Sequence, residues 1–197
     1  VLDDSTFSQQ PDVSVTCLGP LPKPIKLPKS TTSFDYSSHR YMYTGTVPSE
    51  FGLLTSVTEL NLCSNRLDGT LPTELGLMTG LATGGSIDSS NFDTFFRDAS
   101  LSGTLPTQLG QLTAFRYTLY LATNKFTGPT PTQLGRLTAV QDAVTLHHNS
   151  LSSSIPTQLG MMSMVTRSFN LRSNKISSAI PTQLGMMSMV TRSFKLQ

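Results

Sequence analysis

Charged residues are scarce in this sequence of 197 residues. Only 13% of the chain is charged, and 14 basic residues against 12 acidic ones leave a net charge of +2. A balance so close to neutral gives no electrostatic basis for nucleic acid as the main partner. Long apolar runs are missing as well, because no stretch approaches the roughly 18 consecutive apolar residues of a membrane span. We therefore predict a protein that neither binds nucleic acid nor spans a membrane.

Cysteine is nearly absent, which excludes a disulfide framework. Cys17 and Cys63 form one bridge if the N-terminal segment folds over the first repeat, and otherwise are two free thiols; both remain open here. Asn-x-Ser/Thr sequons are also missing, which argues mildly against a heavily glycosylated ectodomain. The chain begins at Val1 and has no apolar signal segment. This favours an extracellular or organelle-lumen location after processing, without identifying the compartment.

Catalytic and metal-binding motifs are missing too. We find no nucleophile elbow, P-loop, dinucleotide fingerprint or paired-cysteine motif. The one histidine pair, His147 and His148, is a poor metal site because adjacent residues on a strand point to opposite faces. After residue 98 the only carboxylate is Asp142, which leaves little for acid–base chemistry. We therefore predict that the protein is not an enzyme and needs neither a metal nor a cofactor.

What the chain does contain is one short phrase, Pro-Thr-Gln-Leu-Gly, repeated along its length. Four copies begin at Pro106, Pro131, Pro156 and Pro181, and two looser copies begin at Pro48 and Pro72. The steps between these prolines are 24, 34, 25, 25 and 25 residues. A period of about 20–29 residues with leucines at fixed offsets is typical of leucine-rich repeat solenoids. Coils that contact only their neighbours share one continuous core, so we expect a single elongated repeat domain.

The first full coil runs from Gly45 to Leu67, with its leucines, Pro48 and Asn65 in phase. It resembles the plant-type leucine-rich repeat, LxxLxLxxNxLxGxIPxxLGxLxx, and its Pro-Thr-Gln-Leu-Gly form is similar to algal members of that class. The resemblance covers residues 41–197, about six coils. It implies an α/β repeat solenoid with a concave parallel β-sheet, convex 3₁₀ or short-strand turns, and little regular α-helix.

Residues 1–40 do not follow the repeat. They include a proline-rich stretch from Leu18 to Lys29, and proline at this density favours extended backbone over helix. We expect an arm that caps the N-terminal end of the repeat domain. The alternative is a docking tail that presents Lys23, Lys26 and Lys29 to an acidic partner.

An asparagine follows the predicted strand in most coils, at Asn65, Asn124, Asn149 and Asn174. Its side-chain amide can pair with backbone groups buried inside the coil, where unpaired polar groups are costly. We therefore predict a structural asparagine ladder. The second coil departs from the pattern, with Ala99 at the ladder position and a Gly- and Ser-rich insertion at residues 83–93. We expect that insertion to be a surface loop, either tolerated or used in binding.

Coils three to five are one residue longer than the first, and the extra residue precedes the strand in each. A residue inserted at the same place in successive coils predicts a stacked β-bulge.

The concave sheet is the surface with which repeat proteins of this kind usually bind. Its outward positions carry a mixed polar set: Asn61, Cys63, Tyr120, His147, Asn170, Arg172 and Lys195. Because aromatic and arginine side chains dominate interface energies, Tyr120, His147 and Arg172 are the predicted anchors for a partner. A merely solvated sheet surface is the alternative interpretation.

Threonine follows the convex proline in five successive coils, at Thr73, Thr107, Thr132, Thr157 and Thr182. Residues stacked about 4.8 Å apart can match a crystal lattice such as ice. The commoner role of such threonines is to cap turns through side-chain hydrogen bonds. We expect capping here and keep an ice- or mineral-binding surface as the alternative function.

Together these features predict a scaffold for protein–protein interaction, either a recognition module or a structural accessory subunit of a larger assembly. We expect the last core layer to be exposed at the C-terminal end: Leu184, Met187, Val190, Phe194 and Leu196. An uncovered solenoid end with an open sheet edge is unfavourable. We therefore expect another protein, or further chain, to cover that end.

Overall fold

The computed structural model describes residues 19–20, 33–35, 43–57, 59–61, 66–82, 100–113, 115–116 and 118–196. Its strands are β1 (Gly19–Pro20), β2 (Ser33–Asp35), β3 (Tyr43–Thr46), β4 (Glu59–Asn61), β5 (Arg66–Asp68), β6 (Ser102–Thr104), β7 (Leu119–Tyr120), β8 (Lys125–Pro129), β9 (Ala143–Thr145), β10 (Ser150–Ser153), β11 (Ser168–Asn170), β12 (Lys175–Ile176) and β13 (Ser193–Lys195). The helical elements within these ranges are all short 3₁₀ helices: Ser49–Leu53, Thr73–Leu77, Thr79–Ala82, Thr107–Gln111, Thr132–Arg136, Thr157–Met161 and Thr182–Met186. None of them is long and apolar enough to cross a membrane.

The repeated proline starts one 3₁₀ helix in each coil. Pro156 has φ −62° and ψ 131°, an extended conformation that suits the fixed φ of its ring. Its carbonyl then accepts a hydrogen bond from the N–H of Leu159 at 3.1 Å, which closes the turn. Leu159 and Gly160 are buried, so the convex turn attaches to the core through the end of the repeated phrase.

The strands form parallel sheets because every coil runs around the solenoid in the same direction. One sheet has the order β13-β11-β9-β7 and is called the concave sheet below; a second has the order β12-β10-β8-β6. In the concave sheet, Phe169 lies opposite Val144 on one side and Phe194 on the other. Parallel sheets joined by 3₁₀ turns confirm the predicted solenoid fold.

The core is one continuous cluster that extends from Tyr43 to Met187. Its largest fully buried side chains include Phe51, Phe115, Phe126 and Phe169. Burial of a side chain of this size contributes about 1.5–3 kcal/mol relative to exposure. Each coil therefore gains its stability by stacking apolar side chains against those of its neighbours.

The glycine of the repeated phrase lies where two coils approach most closely. A Cβ atom built on Gly160 would be 2.2 Å from the carbonyl oxygen of Gln183 in the next coil, and the same holds between Gly135 and Gln158. No Cβ fits at that separation, so only glycine permits this stacking distance. At Gly185 nothing lies within 4 Å of the corresponding position.

A bulge precedes the strands of the later coils. The carbonyl oxygen of Asp142 accepts hydrogen bonds from two successive N–H groups, those of Arg167 at 2.8 Å and Ser168 at 3.4 Å. One coil further on, the carbonyl of Arg167 accepts from the N–H groups of Arg192 and Ser193. Two residues that face one partner are the stacked bulge geometry predicted from the extra residue.

Two short strands near the N-terminus extend the first coil. Gly19–Pro20 pairs with β3, and Ser33–Asp35 pairs with β4, both in parallel. The division of the chain at residue 40 stays a prediction. Several predicted features lie outside the described residues: Cys17, Cys63, Asn65, Ala99, the lysines at 23, 26 and 29, and the insertion at 83–93.

The expectation that the last core layer is exposed is wrong for two of its members. Leu184 and Met187 are each only 3% exposed, because they point into the interior of their own coil and join the main cluster. Val190 and Leu196 are partly buried against that cluster. Phe194 is 43% exposed and stacks on Phe169 with 5.4 Å between ring centroids.

Candidate functional site

The concave sheet presents two columns of side chains away from the core. In each strand the core residues alternate with outward ones, so Leu119 and Leu121 are buried while Tyr120, between them, is half-buried. The first outward column holds Tyr120, Thr145, Asn170 and Lys195, and the second holds His147 and Arg172; the equivalent residue one coil earlier, Ala122, is fully buried. The chain thus brings side chains that are about 25 residues apart in sequence onto one surface.

Five of the seven residues predicted to contact a partner lie together in these columns. Tyr120, His147 and Arg172 are half-buried, Asn170 is buried and Lys195 is exposed. Of the other two, Asn61 belongs to strand β4 and Cys63 lies outside the described residues.

The two histidines are closer than the sequence suggests. His148 has φ +52°, a left-handed conformation that ends the alternation of an extended strand. The His147 and His148 ring centroids are 5.2 Å apart, and the Tyr120 ring lies 6.2 Å from that of His147 on the other side. The prediction that the His147 and His148 side chains point to opposite faces of the sheet is therefore wrong. In the part of the chain that the structure describes, no group of three or more metal-ligating side chains accompanies them.

Arg172 is held from two directions. Its backbone N–H donates to Oδ1 of Asn170 at 3.1 Å, and its Nη2 lies 3.2 Å from Nε2 of His148. Its Nε and the hydroxyl of Thr145 are shielded from solvent and have no hydrogen-bond partner among the described residues.

Asp142 forms a charged cluster at the start of the concave strands. Its carboxylate accepts hydrogen bonds from the hydroxyl of Thr118 at 2.6 Å and from Nε of Arg167 at 2.7 Å, with a second contact to Nη2 of Arg167. Partial burial raises the pKa of this carboxyl. The hydrogen bonds from Arg167 and Thr118, with the charges of Arg167 and Arg192, outweigh burial and hold the pKa below its ordinary value.

Sequence analysis identified Asp142 only as an isolated carboxylate. Its partner Arg167 lies 25 residues later, at the same position of the next coil. The one available signal was that an acidic and a basic residue occupy equivalent positions in successive coils.

Three ladder asparagines bridge adjacent coils. The Oδ1 atoms of Asn124, Asn149 and Asn174 accept hydrogen bonds from the backbone N–H groups of Leu101, Phe126 and Leu151 in the preceding coil. Their Nδ2 atoms donate to carbonyls of their own coil two and three residues earlier. This pairing joins the backbones of neighbouring coils through the asparagine side chains.

The convex threonines do not cap the backbone. None of these five described threonine hydroxyls donates to a backbone group, which contradicts the expected capping role. Instead, each threonine hydroxyl donates to the side chain of the next residue, as Thr132 does to Gln133 at 3.2 Å. The five threonines form an exposed column because each follows a proline that turns the chain along the surface.

Comparison with known proteins agrees with this fold. The family profile for the Leucine Rich Repeat matches residues 56–78. The plant peptide hormone receptor RGFR1, solved in complex with RGF2, is 28% identical over 90% of this chain, with a TM-score of 0.62. The ectodomain of the Arabidopsis receptor kinase HAESA, solved with the peptide hormone IDA, is 26% identical over 78% of the chain, also with a TM-score of 0.62.

A plant ice-binding protein of known structure also resembles this chain. It is 23% identical over 82% of the chain and 47% of its own length, with a TM-score of 0.63; at that identity the likeness shows the fold alone. The chain spans only 30% of RGFR1 and 24% of the HAESA ectodomain. No curated protein sequence matches it. The repeat motif, the parallel sheets with 3₁₀ turns and these likenesses together show that this chain has the leucine-rich repeat solenoid fold, with plant-type repeats.

Proposed function

We propose that the chain is a non-catalytic interaction module that binds a segment of another protein on its concave sheet. The observation that carries this proposal is the convergence of Tyr120, His147 and Arg172, all half-buried, on one sheet surface. Side chains already held by their neighbours lose less conformational freedom on binding than mobile ones. Aromatic and arginine residues are also those that contribute most at interfaces.

The receptor likenesses support the class of ligand. RGFR1 is a plant peptide hormone receptor solved in complex with RGF2, and the HAESA ectodomain was solved with a peptide hormone ligand, so the fold is compatible with recognition of a polypeptide segment. A free recognition module and a structural accessory subunit both use such a surface, and the proposal covers either setting.

Selection of phage-displayed random peptides tests the proposal. We expect wild-type protein to enrich specific peptides, and the double variant Tyr120→Ala with Arg172→Ala to lose them. The matched control, Thr132→Ala with Thr157→Ala, changes two exposed residues of the convex column and should enrich the same peptides. Circular dichroism would establish that both variants are folded. Enrichment that survives the concave double variant, or no enrichment at all, would contradict the proposal.

A second candidate function rests on the threonine column. Five exposed threonines follow the convex prolines in successive coils. Each threonine hydroxyl donates a hydrogen bond to the side chain of the next residue. We propose as the alternative function that this column binds an ordered surface such as ice or a mineral. Inhibition of ice recrystallisation by the purified protein tests the ice form. Activity should disappear in Thr132→Lys with Thr157→Lys and persist in Tyr120→Ala with Arg172→Ala. Wild-type protein without recrystallisation inhibition would exclude ice as the surface.

A further inference from the structure

The two halves of the chain carry opposite charge. The first 98 residues hold eleven of the twelve acidic residues and six of the fourteen basic ones, a net charge of −5. Residues 99–197 hold eight basic residues against the single carboxylate of Asp142, a net charge of +7. The overall value of +2 therefore conceals two oppositely charged halves of the sequence, and the cationic half contains the described strands of the concave sheet, β7, β9, β11 and β13.

Half of these eight cations lie on or next to β11 and β13, two adjacent strands of the concave sheet. Arg167 and Arg192 immediately precede β11 and β13, Lys195 lies opposite Asn170 in their pairing, and Arg172 follows two residues later. The Arg167 guanidinium contacts both carboxylate oxygens of Asp142 through its Nε and Nη2 atoms. Among the described residues, no carboxylate forms a salt bridge with Arg172, Arg192 or Lys195, although the charge of Arg192 also acts on Asp142. These three residues, called the cationic patch below, concentrate positive charge beside the predicted anchors.

The cationic patch has unused donors in a defined geometry. A guanidinium carries five N–H donors, and Arg172 directs only one nitrogen to a described side chain, at His148. That contact and the Asn170 contact to its backbone restrain the orientation of Arg172. A carboxylate matches an arginine through two parallel hydrogen bonds, and neighbouring strands lie about 4.8 Å apart. An extended chain across β11 and β13 can therefore place successive carboxylates on the patch.

We infer that the segment bound by the concave sheet is an acidic polypeptide, whose Asp or Glu side chains pair with Arg172, Arg192 and Lys195. This inference rests on the proposed function and adds the chemistry of the partner. A short segment experiences mainly the local cations, because charges more than about 8 Å away are screened at physiological salt. The patch holds only three cations and the net charge of the whole chain is +2, which gives little electrostatic basis for binding a long polyanion such as nucleic acid. The observations therefore favour an acidic peptide over nucleic acid.

Fluorescence anisotropy with defined peptides tests this inference. The probe is a labelled, amidated peptide of six Glu-Ser repeats, and its neutral counterpart has six Gln-Ser repeats. We expect the acidic peptide alone to bind, with an affinity that falls as salt rises. The triple variant Arg172→Gln, Arg192→Gln and Lys195→Gln should weaken binding at least about tenfold, as expected when charges that contact a ligand are removed.

A control triple variant separates local contacts from total charge. Lys125→Gln, Arg136→Gln and Lys175→Gln remove three exposed cations outside the concave sheet and change the net charge by the same amount. We expect this variant to weaken binding less than about threefold. An equal loss in both triple variants, or equal binding of the neutral peptide, would overturn the inference. Tighter, patch-dependent binding of a thymidine oligonucleotide or dextran sulfate would also overturn it and assign the patch to another polyanion.

The phage selection separates failure of the acidic-partner inference from failure of the proposed binding function. Peptides that depend on the concave sheet but contain no excess of Asp and Glu would leave the proposed function intact and refute the acidic partner. Absence of any peptide dependent on the concave sheet would refute the proposed function itself. Enrichment of acidic peptides that the patch variant loses would support both.

Discussion

The side-chain nitrogen of Asn149 donates a hydrogen bond to the carbonyl oxygen of Leu121, 3.0 Å away in the preceding coil. The same amide donates to the carbonyl of Leu146 at 3.0 Å, and its oxygen accepts from the N–H of Phe126 at 3.0 Å. One side chain thus joins backbone groups of two successive coils. Asn174 repeats this arrangement one coil later, with the carbonyl of Leu146 at 3.0 Å.

Asn149→Ala should destabilise the protein by about 1–3 kcal/mol, because it leaves partly buried backbone groups without a partner. The midpoint of urea unfolding measures this change. Ser154→Ala, at an exposed position after the next strand, should leave the midpoint unchanged. A neutral Asn149→Ala variant would mean that the ladder has no structural role.

Gly160 and Gly185 allow a matched comparison within the same five-residue phrase. Gly160→Ala should cost about 1–3 kcal/mol or more, since the added methyl group would lie 2.2 Å from the carbonyl oxygen of Gln183 and would force the coils apart. Gly185→Ala meets no atom within 4 Å, so it should be neutral or stabilising by about 0.4–1 kcal/mol through the unfolded chain. The melting temperatures of both variants measure these changes. An equal loss of stability in the two variants would refute close stacking as the reason for the glycine.

Asp142→Asn should alter how stability depends on pH. Because the folded-state pKa of Asp142 lies below its ordinary value, the ionised carboxylate stabilises the fold above that ordinary value, about pH 4. This contribution is lost as the pH falls through the folded-state pKa. The variant should therefore be less stable than wild type at pH 7, and the difference should shrink at pH 3.

Urea unfolding at both pH values measures this difference. Asp68→Asn, which removes an exposed carboxylate, is the control for the change in net charge. A stability difference for Asp142→Asn that is as large at pH 3 as at pH 7 would contradict a stabilising role for the ionised group.

Phe169 and Phe194 stack on each other but differ in burial. Phe169 is fully buried, whereas Phe194 is 43% exposed. Phe169→Ala should cost about 3–5 kcal/mol through lost burial and the cavity left behind. Phe194→Ala should cost clearly less, because part of its ring already contacts water. Denaturant midpoints of the two variants test this order, and a larger loss at Phe194 would contradict it.

Much of the fold followed from periodicity alone. A coil holds only its own strand, turn and 3₁₀ helix, so the phase of leucine and proline identifies which side chains point inward. This is why the concave column that includes Tyr120, Asn170 and Lys195 could be located from sequence. The same reasoning located the bulge before β11 and β13, since an extra residue must displace the backbone at the same place in each coil.

Contacts between coils required the tertiary structure. Arg167 pairs with Asp142, and Gly160 lies against Gln183, because stacking sets a distance and an offset between coils that no single repeat encodes. His148 turns its ring beside His147 through a left-handed backbone conformation, which the pattern of an extended strand did not predict. The threonine hydroxyls likewise donate hydrogen bonds to the side chain of the next residue and do not pair with the backbone. The sequence by itself determined which side chains of each coil point inward and which point outward, because these positions depend on local periodicity. The stacking of coils in the tertiary structure decided which charged, aromatic and amide groups contact each other, because those distances exist only between coils.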